Sequence, residues 1–131
     1  SAWNAAWQDA AYYALAQLDT RKGKYESALD KIDRSLIRNW HNHKARQLKT
    51  SILRKLGRKE EALALVAESL QIDRFNMGCR FEHYLLTRDV KVLEEMKELM
   101  RGWAHGYIEY ALDYTTCYNP LYAPASIHHK I

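Results

Sequence analysis

The chain repeats itself at a step of 34 residues, and that rhythm constrains its fold more than any other feature. Residues 23–42, GKYESALDKIDRSLIRNWHN, lie without a gap over residues 57–76, GRKEEALALVAESLQIDRFN. Gly23 meets Gly57, Glu26 meets Glu60, and Ala28-Leu29 meets Ala62-Leu63. Ser35-Leu36 meets Ser69-Leu70, and Asn42 meets Asn76. Lys24 and Arg58 correspond in kind, as do Ile32 and Val66. A period of this length marks one supersecondary unit that cannot bury its apolar face alone and must stack on its neighbours.

The matching residues carry physical roles. Leu29, Ile32 and Leu36 recur at helical spacing, as do Leu63, Val66 and Leu70, so each repeat contains an amphipathic helix. Ala28 and Ala62 are small enough to let two helices approach closely. Gly23 and Gly57 stand where one helix stops, a place that commonly requires positive φ. Asn42 and Asn76 precede the next helical run and fit as N-caps. With two prolines and five glycines, long stretches are free to be helical, which argues against a turn-rich β architecture.

The expected layout is about seven helices: residues 3–22, 25–38, 43–56, 59–72, 77–87, 90–101 and 104–116. In the first, Trp7, Ala11, Leu15 and Leu18 are expected to face inward; the sixth buries Leu93, Met96 and Met100, and the seventh Ile108, Ala111 and Leu112. Connections of a few residues make consecutive helices antiparallel neighbours.

Gly, then Tyr two residues on, then Ala, set in a 34-residue helix-turn-helix period, resembles the tetratricopeptide repeat (TPR). Residues 9–42 form a first repeat in which Tyr12, Leu15, Ala16, Gly23, Tyr25, Ala28 and Ile32 match the family pattern. Residues 43–76 form a second through Gly57, Ala62 and Val66, although Arg46, Lys49 and Lys59 replace its aromatic or apolar residues. Trp40 and Arg74 stand where the family places proline. A degenerate repeat covers 77–101, where Tyr84 fills a usually small position and Lys91 takes the glycine's place. A partial unit covers 103–117 and a non-repeat tail covers 118–131; Tyr114, Tyr118, Leu121 and Tyr122 are expected to cap the stack, the alternative being that they dock against another copy. The resemblance implies an all-α fold, a right-handed superhelical stack of antiparallel hairpins. It also suggests a piece of a longer bacterial repeat protein.

The resemblance further implies a concave groove lined by the first helix of each pair, which holds a partner peptide or helix. Its positions fall on Tyr13, Gln17, Thr20 and Arg21; on Lys44, Gln47, Ser51, Arg54 and Lys55; and on Phe81, Glu82, Leu85 and Arg88. Between residues 21 and 59 the chain carries 13 Lys or Arg against Glu26, Asp30 and Asp33, whereas its net charge is only +4. The expected partner is therefore an acidic protein segment, with Tyr13 and Phe81 adding apolar contact. The family's lysine-rich clamp for chaperone tails is not expected, because Tyr13, Gln17, Leu48, Gly78 and Glu82 occupy its places.

Other classes fit less well. A nucleic-acid reading rests on the basic stretch 21–59 with Tyr25 and Trp40, but these aromatics align with Lys59 and Arg74 and make no repeating code. A homo-oligomerisation scaffold and an accessory repeat domain of a carbohydrate-active protein are further alternatives. Catalysis is not expected: there is no phosphate-binding glycine loop, no HExxH helix and no Gly-x-Ser-x-Gly elbow. His41 and His43 lack further ligands at metal spacing, so neither a metal nor a cofactor is expected. Cys79 and Cys117 form no redox or metal motif, and no leader or membrane span is legible, which together suggest the cytoplasm.

Overall fold

The computed structural model describes residues 2–101, with side chains from residue 7 onward. Six helices fill this span: α1 (Ala2–Arg21), α2 (Tyr25–Arg38), α3 (His43–Lys55), α4 (Lys59–Ile72), α5 (Met77–Thr87) and α6 (Val90–Leu99). The described residues contain no strand. None of these helices is long and apolar enough to cross a membrane. The expected seventh helix and the capping tail lie outside the described residues.

The repeat is visible as a repeat of hydrogen bonds. Gly23 and Gly57 have φ of 75° and 76°. The amide of Gly23 donates to Thr20 O and that of Lys24 to Asp19 O, at 3.1 and 2.9 Å. Gly57 donates to Arg54 O and Arg58 to Leu53 O at the same two distances. This pair of bonds is the Schellman closure, which satisfies the last carbonyls of a helix through one left-handed residue. At the other end of each hairpin, Asn42 Oδ1 accepts from the amides of Lys44 and Ala45, and Asn76 Oδ1 from that of Cys79.

The third hairpin departs from this pattern. Its turn comes before Lys91, with Arg88 in the left-handed region at φ 58°. Arg88 N–H donates to Tyr84 O, a single-bond closure. Side chains complete the turn: Thr87 Oγ1 accepts from the Asp89 amide, and Asp89 Oδ1 caps α6 by accepting from Lys91 N–H. Polar capping thus replaces glycine, and no glycine is needed at Lys91.

Polar pairs set the direction of each hairpin. Asp19, late in α1, accepts from Ser27 and Lys31, early in α2, at 2.6 and 3.0 Å. Those bonds, the Ser27 hydroxyl first, hold the Asp19 carboxyl below its ordinary range. Asp9, early in α1, accepts from Ser35 and Asn39, late in α2. Arg46 of α3 likewise meets Glu68 of α4 at 2.8 Å, and Arg80 of α5 meets Glu95 of α6 at 2.9 Å. All three hairpins are therefore antiparallel. Consecutive helices pack in turn, and α3 also packs on α5 and, more lightly, on α1.

Two apolar clusters lie between the helices. The larger joins Ala16, Ala28, Leu29, Ile32, Ala45, Leu48, Ile52, Leu53 and Ala62. The smaller joins Met77, Met96 and Met100. Phe81 packs against both. The alanines at 28, 45 and 62 are fully buried, which is the close approach their size permits.

One expectation is corrected. Trp7, Leu15 and Leu18 do not face inward: their exposures are 65%, 43% and 43%. Helix α2 covers the other side of α1, through Asp9, Tyr12 and Asp19. A shift of 34 explains the open side. Ala11, Leu15 and Leu18 correspond to Ala45, Lys49 and Ile52 of α3, and there α2 supplies the cover, with Asp33 paired to Lys49 at 2.8 Å. No described helix does the same for α1.

Candidate partner-binding face

Because α3 packs on both α1 and α5, the odd-numbered helices lie side by side and share one face. The α3–α5 contacts run in parallel order. His43 O accepts from Asn76 Nδ2 at 3.4 Å, Gln47 lies over Gly78, and Arg54 pairs with Glu82 at 2.8 Å. Twelve of the thirteen groove positions expected from the sequence lie on these three helices, and the thirteenth, Arg88, caps the end of α5.

The structure divides them into two sets. The first is spent on internal packing. Gln47, Ser51, Glu82 and Thr20 are buried. A Cβ added to Gly78 would come within 1.9 Å of Gln47 Oε1, so glycine leaves the space that the glutamine side chain fills. Ser51 donates to Leu48 O and Thr20 to Ala16 O, both bonds within a helix. Arg54 Nε donates to the fully buried Glu82 carboxylate, which neutralises the charge expected at the centre of the face. Burial makes that pair costly to break.

The second set reaches solvent. Tyr13, Gln17, Phe81 and Leu85 are half-buried, with Tyr13, Phe81 and Leu85 resting on the larger core cluster. Arg21, Lys44, Lys55 and Arg88 are exposed at the margins. The Arg88 guanidinium lies 5.6 Å from the Tyr84 ring centre. The face is thus a shallow strip of aromatic, aliphatic and amide surface with cations at both ends.

Two residues outside the expected set organise this face from behind. Arg46 and Arg80 are 34 residues apart and both buried. Arg46 Nε donates to Trp40 O at 2.6 Å, and Arg80 Nε donates to Arg74 O at 2.7 Å. Each then reaches a carboxylate on the second helix of its own hairpin, Glu68 or Glu95. The guanidinium can do this because it presents several donors in a rigid plane. It ties the loop before a hairpin to the hairpin's second helix. The sequence signal was the arginine pair at the repeat step; Arg46 alone reads as a departure from the family pattern.

The two ends of the stack differ in chemistry. The turns within hairpins carry Arg21, Lys22 and Lys24; Lys55, Arg58 and Lys59; and Arg88 and Lys91, all exposed. The opposite end carries exposed Trp40 and Phe75, with His41 edge-on to Trp40 at 5.3 Å and Arg74 5.0 Å from the Phe75 ring centre. The described residues include no group of three or more His, Cys, Asp or Glu that could hold a metal ion. Cys79 is buried, and burial pushes its thiol up to about 11.

No protein-family model, curated protein or solved structure matches the chain.

Proposed function

We propose that this chain is a TPR-like polypeptide-binding module, whose hairpins pile into a superhelical arch and whose odd-helix face receives an acidic partner segment. The observation that carries this reading is the alignment of α1, α3 and α5 along one face. That arrangement leaves a continuous strip on which a chain can lie across several hairpins. Tyr13, Gln17, Phe81 and Leu85 offer amphipathic contact there, and Arg21, Lys44, Lys55 and Arg88 set the sign of the partner. With Gln47, Ser51, Arg54 and Glu82 committed between helices, specificity rests on the marginal cations more than on the centre.

The test is fluorescence anisotropy of labelled acidic peptides, with neutral peptides of equal length as controls, at low and high salt. Micromolar affinity for the acidic set, weakening as salt rises, supports the reading. Equal affinity for the neutral set, or no dependence on salt, refutes it.

A further inference from the structure

We infer that the acidic run of such a partner lies across the hairpin-turn end of the stack, perpendicular to the helices, and not along the centre of the odd-helix face. This inference rests on the proposed reading that the partner is an acidic polypeptide, and it adds where the charge is held.

The topology collects the cations. Hairpins that are each antiparallel, with α3 and α5 running in parallel order, put the three turns at one end. Arg58, in the second turn, is influenced electrostatically by Glu26, at the start of α2, so the first two turns are close neighbours. The repeat then makes a ladder: Arg21 of the first turn corresponds to Lys55 of the second, and Lys24 to Arg58, at the 34-residue step. Arg58 is held by Glu61 through two bonds of 2.9 and 3.0 Å. Among the described residues, Arg21, Lys22, Lys24, Lys55 and Lys59 form no ion pair, Lys24 acting on Asp19 only through longer-range attraction, so their side chains can still meet a partner.

The centre of the face offers the opposite situation, since the Arg54 charge already meets Glu82 at 2.8 Å. Packed helices stand about 8–10 Å apart, so a strip crossing three turns is about 20 Å long. An extended chain rises about 3.3 Å per residue, so six or seven acidic residues span it.

An acidic polypeptide fits this strip better than a single-stranded nucleic acid. Binding of single strands combines cations with exposed rings on which bases stack. Here the rings at the cationic turns, Tyr25 and Tyr84, are both half-buried, Tyr25 against the core and Tyr84 beneath the Arg88 guanidinium. The exposed Trp40 and Phe75 lie at the opposite end.

The experiment titrates fluorescein-labelled octaglutamate and octauridylate into the full chain at 50 mM salt. Two variants, K22Q/K24Q/K59Q and K97Q, the latter at an exposed lysine of α6 outside the face, are compared with the original after circular dichroism shows that both are folded. The expected result is octaglutamate binding that falls at least tenfold in the triple variant and less than twofold in K97Q. Octaglutamate binding that is unchanged in the triple variant overturns the turn-end location while leaving the polypeptide-binding reading intact. Absence of octaglutamate binding overturns both, and tighter binding of octauridylate reassigns the cationic end to nucleic acid.

Discussion

The second and third hairpins share an internal brace and differ in their turns. In α3–α4, Arg46 joins the Trp40 carbonyl to Glu68, and Gly57 closes the turn with φ 76°. In α5–α6, Arg80 joins the Arg74 carbonyl to Glu95, but Arg88 takes the left-handed position at φ 58°. The aliphatic core of the second hairpin gives way to methionines in the third. The comparison teaches that the hairpin is defined less by its glycine than by what ties its preceding loop to its second helix. The turn can move by three residues, from the expected Lys91 to Arg88, while the brace keeps its step of 34.

The contact between these two hairpins gives the largest expected effect. Glu82→Ala leaves the Arg54 guanidinium, only 19% exposed, without the carboxylate 2.8 Å away. Loss of one partner of a buried pair should cost about 3 kcal/mol, read as a lower midpoint in urea. A cost below about 1 kcal/mol would show that the hairpins do not depend on the pair.

Gly78→Ala probes the same junction by volume. The new Cβ would occupy the space of the Gln47 side chain and should cost about 2 kcal/mol. In a Gln47→Ala background the added cost should largely vanish. Additive losses in this double-mutant cycle would place the strain elsewhere.

At the turns the two hairpins should respond with opposite signs. Gly57→Ala forces a Cβ into the left-handed region and should destabilise by about 1 kcal/mol. Arg88→Gly relieves the same penalty and should stabilise by up to about 1 kcal/mol. Thermal melts of both variants test this; a shift in the same direction for the two would break the comparison.

The effect smallest at neutral pH is that of a buried thiol. Burial raises the Cys79 thiol from 9.0 to about 11. A thiol raised on folding contributes stability that is fully present below its unfolded value and is lost as pH rises towards the folded one. Cys79→Ser should therefore flatten the loss of stability between pH 9 and 11. At pH 8, in a Cys117→Ser background, a thiol reagent should label Cys79 only after denaturant is added, and rapid labelling of the folded chain would contradict its burial.

Much of this architecture was legible in the sequence, because repetition tests itself. Gly23 and Gly57 specify the same closure twice, and Asn42 and Asn76 cap twice, so the helix bounds followed from matched pairs. The side of α1 that packs was not legible. That helix is rich in alanine and carries apolar residues all round, so its periodicity does not choose between Trp7-Leu15-Leu18 and Tyr12-Ala16. The interior of the candidate face was also hidden. Arg54 and Glu82 stand 28 residues apart on different helices, and no local pattern announces that opposite charges so placed will neutralise each other. The marginal cations were easier to read, since charge density within residues 21–59 survives any error in helix orientation.

Phe81 rests on both apolar clusters, so one ring belongs at once to the aliphatic and to the methionine-lined interior. Such a ring acts as a clutch between folding units. While it is engaged, amides of α5 and α6 should exchange with solvent only as slowly as those of α3 permit. Trimming it to alanine should let the last hairpin open by itself, turning one cooperative transition into two.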